Sequence, residues 1–475
     1  MLDLLNSFVS FSNNILWSYV LIAMLLILGI YFTIRTNFVQ FRLFGEMFRL
    51  LGQGASNSVT SKEKTKKVSS FQAFCISTAS RVGTGNLAGV AIAISIGGPG
   101  AVFWMWLIAL VGAGSSFVES TLAQIYKVHD KNGYRGGPAY YMEKALNKRW
   151  MGIIFSILIT ISFGLVFNSV QANTISFAFE KAFGIDRLVM GIGLMIFTAI
   201  IIFGGVKRVA RVAEIIVPIM AILYVFVAFF VVIKNFSAIP EMFSLIISSA
   251  FGFKQAVGGG IAAALMQGIK RGLFSNEAGM GSAPNAAATA DVTHPVKQGL
   301  IQTLGVFTDT LLICSATAFI VLLSGAYKIE GLEGIQITQE ALSTHIGSLG
   351  NGFVALCILL FAFSSIVGNY YYGETNIEFI KTNKVWLFIY RLAVMGMVIF
   401  GSIAKVQIVW DLADLFMGLM AIINLIAIFL LGKIAFAALD DYVKQKRQGK
   451  DPVFHANSIK GLKNVECWDE VEKGL

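Results

Sequence analysis

Two stretches of the chain set glycines beside charged and amide side chains in otherwise apolar surroundings. Residues 77–89 read S-T-A-S-R-V-G-T-G-N-L-A-G and hold Arg81, Asn86, Gly83, Gly85 and Gly89. Residues 268–290 read G-I-K-R-G-L-F-S-N-E-A-G-M-G-S-A-P-N-A-A-A-T-A and hold Lys270, Arg271, Glu277, Pro284 and two asparagines. Isolated glycines in apolar helices often do no more than let helices pack closely. Glycines crowded among charges and amides are costly in such a seam and mark places where backbone leaves the helix. Unpaired peptide groups are expensive in hydrocarbon, so such breaks survive only against a cavity or buried protein. Their chemistry is that of exposed peptide groups. Amides opening a half-helix hold a carboxylate, and unwound carbonyls hold an ammonium or a hard cation.

The elements that must carry these breaks are membrane helices. The 475 residues are 56% hydrophobic and 13% charged, with mean hydropathy +0.73, against about 25% charged in a typical soluble chain. A crossing takes roughly 20 apolar residues at about 1.5 Å each. Eleven windows qualify, beginning near Leu16, Phe71, Ala101, Gly152, Leu188, Ala213, Gln255, Leu300, Asn351, Val385 and Ile408. A membrane β-barrel would instead show segments of about 10 residues with alternating polarity. The fold class expected is therefore all-α and polytopic, with about 11 transmembrane helices.

The breaks fall in the second and seventh windows. With the first set aside they become helices one and six of ten, the placement of an inverted five-plus-five repeat. The expected divisions are an extra helix with a basic loop at 1–70, five-helix repeats at 71–235 and 236–439, and a polar tail at 440–475.

Charge fixes an expected orientation. With the N-terminus outside, the inner segments 35–70, 127–150, 204–212, 291–298, 379–384 and 433–475 carry 27 of the 37 basic residues. Every second loop is the basic one, as the positive-inside rule requires, so the net charge of +10 reflects topology and not nucleic-acid binding. Residues 1–14 hold Asp3 and no basic residue, unlike the start of a cleaved signal peptide. The four cysteines lie apart, which argues against disulfides. His129, His294, His345 and His455 all fall in loops or the tail, which excludes haem ligation and histidine–metal catalysis within the membrane.

Three stretches resemble a known family: 80–86 (S-R-V-G-T-G-N), 97–112 (G-G-P-G-A-V-F-W-M-W-L-I-A-L-V-G) and 270–284 (K-R-G-L-F-S-N-E-A-G-M-G-S-A-P). They are similar to the alanine or glycine:cation symporters, also called sodium:alanine symporters, within the LeuT-like superfamily. The resemblance spans nearly the whole chain. It implies a cell-membrane transporter that imports alanine, or glycine or D-alanine, with sodium by alternating access, and that needs no prosthetic group. By resemblance, one sodium lies between core helices one and eight, held by the carbonyls of Ala79, Val82 and Phe361 and the hydroxyls of Ser364 and Ser365. A serine pair can also simply bond the preceding turn of its helix. Asn86 is a further oxygen ligand.

For the amino acid, the amides of Gly83, Thr84 and Gly85 suit the carboxylate. The backbone of Phe274, Ser275, Asn276 and Gly279 suits the ammonium and shapes the pocket. Asn168 and Gln171 lie one turn apart and face one direction, for substrate contact or for hydrogen bonds between helices. Glu277 and Asp309 are expected to pair with Lys270, Arg271 or Arg81 rather than to carry a proton or sodium, although charge at such depth is often functional. Trp104, Trp106 and Tyr370–Tyr372 are expected mainly as packing. A proton-coupled carrier using Glu277 or Asp309, and a channel or sensor built on the same cavity, are the competing readings. No Ser/His pair or paired Asp motif supports an intramembrane enzyme.

Overall fold

The first broken helix starts from a tight local signal. Ser69 and Gln72 form a reciprocal capping box, Ser69 Oγ accepting the Gln72 amide and Gln72 Oε1 the Ser69 amide, both at 3.1 Å. Two otherwise unpaired donors at the helix start are thereby satisfied. The computed structural model describes residues 2–60, 68–130, 133–203, 206–252 and 260–468. The expected start of the seventh window near Gln255 lies outside them.

The chain is helical nearly throughout. In order, the helices are α1 (Ser7–Arg35), α2 (Phe44–Thr60), α3 (Ser70–Arg81), α4 (Gly85–Gly97), α5 (Ala101–Ile125), α6 (Arg149–Phe183), α7 (Arg187–Ile202) and α8 (Val206–Lys234). There follow α9 (Ile239–Ala250), α10 (Ile261–Asn276), α11 (Ala283–Ala287), α12 (Pro295–Ser324), α13 (Ile335–Ile346), α14 (Leu349–Ile380), α15 (Lys384–Ile403) and α16 (Val406–Arg447). Among the described residues seven of these, α1, α5, α6, α12, α14, α15 and α16, are long and apolar enough to cross a bilayer. An eighth candidate joins the end of α8 to α9 through a 79° bend. The remaining expected windows fall on the 16-residue α7 and on the interrupted pairs α3–α4 and α10–α11. This is an all-α, multi-pass membrane protein.

The helices sort by what they face. α7, α8 and α15 turn Phe197, Ile200, Ile222, Phe226, Trp386 and Ile389 outward, each more than half exposed. Such a rim suits lipid, where every backbone group must already be paired within a helix. α5, α10 and α12 run through the interior, and the segment Pro295–Phe307 is buried at every residue.

Wide, π-type turns interrupt three interior helices at 85–89, 160–167 and 308–314. Such turns concentrate at functional sites. Here they carry Asn86, lead directly into Asn168, and carry Asp309. The 42-residue α16 spans about 63 Å at helical rise, about twice the hydrocarbon thickness. Beyond it the tail folds back rather than trailing away. The Phe454 amide donates to the Thr293 carbonyl at 2.8 Å, and Lys297 pairs with Asp451 at 2.8 Å. The Trp468 indole donates to the Gln124 carbonyl at the end of α5 at 3.1 Å.

Candidate functional site

The first break is short. α3 ends at Arg81, Val82 is extended (φ −79°, ψ 96°), and the helix resumes at Gly85. In a continuous helix the Gly83 amide would be aimed at the Ala79 carbonyl. It donates instead to Asn86 Oδ1 at 2.9 Å. The Thr84 amide donates to Gln171 Oε1 of α6 at 3.1 Å. Ser365 Oγ of α14 reaches the carbonyls of Val82 and Phe361 at 3.2 and 3.0 Å, and Ser364 Oγ reaches Phe361 at 2.8 Å. Gly83 is where these three elements meet. A Cβ there would strike Ser365 Oγ and stand 2.8 Å from Gln171 Oε1, so only glycine admits both neighbours.

The second break is longer and touches the first. A Cβ on Gly85 would lie 3.0 Å from the Phe274 ring and 3.1 Å from Ser275 Cα. α10 ends at Asn276, after which Glu277, Gly279 and Gly281 have φ of 59°, 81° and 86°. Ser275 Oγ donates to Asp309 Oδ2 at 2.8 Å, and Asn86 Nδ2 to Asp309 Oδ1 at 2.7 Å. Phe274 stacks on Phe167 of α6 with ring centres 4.5 Å apart, and tilts against Trp410 of α16 at 4.8 Å.

Most of the residues singled out in the sequence come together here. Val82, Gly83, Thr84, Asn86, Gln171, Phe361, Ser364 and Ser365 surround the first break, with Phe274 and Ser275 against its far side. Ala79 sits one turn before it on α3. Asn168 turns elsewhere: its Nδ2 donates to the Gly164 carbonyl of its own helix at 2.8 Å. Gly279 faces α5 and α16, its amide 3.0 Å from Glu119 Oε1 and its carbonyl 2.9 Å from Asn424 Nδ2. Asn276 Oδ1 caps the Ala278 amide at 3.0 Å. Among the described residues Thr84 Oγ1, Asn168 Oδ1 and Asn276 Nδ2 are buried without a hydrogen-bond partner. Such groups need an explanation, a ligand being one.

The expected ion pairs form differently. Lys270 and Arg271 bind Asp414 of α16, the lysine at 3.1 Å and the guanidinium bidentate at 3.0 and 2.8 Å. Glu277 is held instead by the hydroxyls of Ser80 and Ser282 at 2.8 and 2.6 Å, and Asp309 by Asn86, Ser275 and Thr310. The reason is axial distance. Lys270 and Arg271 precede Glu277 by six or seven residues, roughly 9–10 Å along α10. Arg81 donates to the Gln302 carbonyl at 3.2 Å. Glu119 and Asp414 are not among the residues singled out above, although a carboxylate within an apolar helix is signal enough to demand a partner.

Near the first break the donors on offer are carbonyl, hydroxyl and amide oxygens, with the Asp309 carboxylate bound to Asn86 beside them. Among the described residues no three His, Cys, Asp or Glu side chains converge to hold a metal. A hard-oxygen set of this kind suits an alkali cation better than a transition metal.

The family model described as the sodium:alanine symporter family matches residues 2–456. The probable sodium/glutamine symporter GlnT of Bacillus subtilis is 61% identical over 468 residues, covering 98% of this chain and 97% of that one. The amino-acid carrier protein AlsT of the same organism is 59% identical over 466 residues, covering 98% of each. Among solved structures, a mutant manganese transporter of Eremococcus coleocola superposes with TM-score 0.52 at 13% identity, covering 80% of this chain and 81% of that one, a likeness of fold alone. The chain belongs to the sodium:alanine symporter family and is a sodium-coupled amino-acid symporter, not an enzyme.

Proposed function

We propose that the carrier imports a small neutral amino acid, alanine in the first instance, together with sodium, by alternating access around the two breaks. The observation that carries this reading is the convergence of Gly83, Gln171 and Ser365 at the first break, with Phe274 and Ser275 closing the other side. Sodium sits among the carbonyls of Ala79, Val82 and Phe361 and the hydroxyls of Ser364 and Ser365. Ser365 Oγ already lies within 3.2 Å of two of those carbonyls. The substrate carboxylate takes the amides of residues 83–85, displacing the neutral oxygens of Asn86 and Gln171. A carboxylate is the stronger acceptor, since charge-assisted bonds are roughly twice as strong as neutral ones.

The ammonium is met by backbone at 274–279 and by the oxygens of Asn86, Ser275 and Asp309 beside it. Asn168 and Asn276 supply further polar contact through their unspent atoms. Phe167, Phe274 and Trp410 pack the side-chain end of the pocket. The repeats divide as 71–235 and 236–439, with the N-terminus outside and the tail inside. One sodium carried with a zwitterion moves one charge inward, worth about 2.3 kcal/mol per 100 mV. That supports roughly fortyfold accumulation before any sodium gradient is added.

Glutamine is the second reading, favoured by the 61% identity to a relative named for it. The deciding measurement is radiolabelled uptake into proteoliposomes with an inward sodium gradient, and with choline in its place, with alanine, glycine and glutamine as competitors. Accumulation above equilibrium only with sodium supports symport, and the strongest competitor names the substrate. Equal uptake in both media removes sodium coupling and points to a proton carried by Glu277 or Asp309.

A further inference from the structure

We propose that Glu119 is a positioning residue of the substrate site, the group that fixes the shape of the second break. Glu119 is fully buried on α5 and spends both carboxylate oxygens. Oε1 accepts the Gly279 amide at 3.0 Å, and Oε2 accepts the Gly281 amide at 3.1 Å and Asn424 Nδ2 at 2.7 Å. Three donors converge on two oxygens, so the position needs a group with two acceptor oxygens, which a carboxyl side chain supplies and an amide or hydroxyl does not.

The two glycines are placed for this. Both have left-handed φ, 81° and 86°, which turns alternate amides toward α5. Gly281 also has no room for a side chain, because a Cβ would stand 2.8 Å from Asn424 and 2.9 Å from both Phe155 and Pro138. Asn424 extends the tether to α16. Its Nδ2 also donates to the Gly279 carbonyl at 2.9 Å, and its Oδ1 accepts the hydroxyl of Tyr141, on the short helix Pro138–Lys144.

The consequence follows from peptide geometry. In a trans peptide the N–H and C=O of one unit point in opposite directions. With the Gly279 and Gly281 amides turned to Glu119, the carbonyls of Ala278 and Met280 point away from it. The carboxylate thus gives the unwound segment a donor edge that is fully used and an acceptor edge on the opposite side. An acceptor edge is what the ammonium of an amino acid requires, and to that extent the inference rests on the function proposed above. The tether itself does not.

Glu119→Gln tests it, because glutamine keeps the size and presents an NH2 to donors. Hydrogen–deuterium exchange of the wild-type carrier gives the first reading: the peptide spanning 277–283 exchanges at least tenfold more slowly than free amides. In Glu119→Gln that peptide exchanges about tenfold faster, while 82–86 is unchanged. The same variant binds substrate about tenfold more weakly, with the sodium concentration for half-saturation within twofold of wild type. A merely structural lesion would move both ligands together. Free-amide exchange at 277–283 in the wild type overturns the proposal, as does wild-type substrate affinity in the variant. A shifted sodium requirement with unchanged substrate affinity also overturns it. If the variant does not fold, the wild-type exchange measurement still decides, and it does so whichever amino acid the carrier takes.

Discussion

The two breaks face the same physical problem and meet it with opposite chemistry. At the first, the helix is interrupted between Arg81 and Gly85, and the amides of Gly83 and Thr84 rest on the neutral oxygens of Asn86 and Gln171. At the second, residues 277–282 leave it, three of them with left-handed φ, and two of their amides rest on the carboxylate of Glu119. A single amide oxygen yields to an incoming carboxylate, a stronger acceptor, more readily than a carboxyl group tied by three donors. On the function proposed above, the first break is the half that reads the substrate, and the second is the half held still while it is read. Rigid support behind an adaptable contact is the general requirement for a precise site.

The largest effect expected from this contrast lies where the breaks touch. Gly85→Leu drives a side chain into the Phe274 ring and the Ser275 backbone. Overpacking of that kind costs about 1–3 kcal/mol, the upper end of which is on the order of a hundredfold in affinity. Equilibrium binding of radiolabelled substrate checks it. Affinity within threefold of wild type would mean that the ligand does not sit between the breaks.

Next in size is a substitution that makes the first break resemble the second. Gln171→Glu places a fixed carboxylate at the Thr84 amide, where it both occupies the donor and repels the substrate carboxylate. At an effective dielectric near 20, like charges about 4 Å apart repel by about 4 kcal/mol. A loss of at least thirtyfold in substrate affinity is expected, while Gln171→Ala stays within roughly fivefold, about 1 kcal/mol. Wild-type binding by Gln171→Glu would erase the distinction between the two breaks.

The third effect separates ion from substrate. Ser365→Ala removes a hydroxyl oxygen from the proposed sodium site and leaves the amides of the first break in place. The sodium concentration for half-maximal uptake rises about tenfold, equivalent to about 1.4 kcal/mol, while substrate binding at saturating sodium changes little. Unchanged sodium dependence would move the ion away from α14.

The sequence carried this architecture unevenly. Hydropathy windows placed some helix starts closely, as at Ala101 for α5 and near Leu188 for α7, which begins at Arg187, but opened well inside others, at Leu16 in α1 from Ser7 and at Ala213 in α8 from Val206. Glycines among charges marked both breaks. What could not be read was partnership across the chain. Helical periodicity tells which residues share a face but not which helix that face meets, and the decisive pairs lie far apart. Arg271 and Asp414 are separated by 143 residues, and Glu119 and Gly279 by 160. The returning tail was likewise illegible, because Phe454 and Trp468 sit in a polar stretch with no period to reveal their packing.

Asn168 shows the same limit in a single side chain and gives the smallest expected effect. From spacing it shares a face with Gln171, and Gln171 does reach the first break. The wide turn at 160–167 alters the hydrogen-bond pattern just before it, and Asn168 Nδ2 spends itself on the Gly164 carbonyl. Only Oδ1 remains, buried and without a protein partner, so what it can offer the proposed substrate site is one acceptor rather than a full amide. One neutral hydrogen bond is worth about 0.5–1.5 kcal/mol net, so Asn168→Ala weakens substrate binding about threefold, in titrations at saturating sodium. A loss beyond thirtyfold would make α6 a second reader of the substrate, equal to the first break. An unchanged affinity would leave Gln171 as the one polar contact that the proposed site takes from that helix.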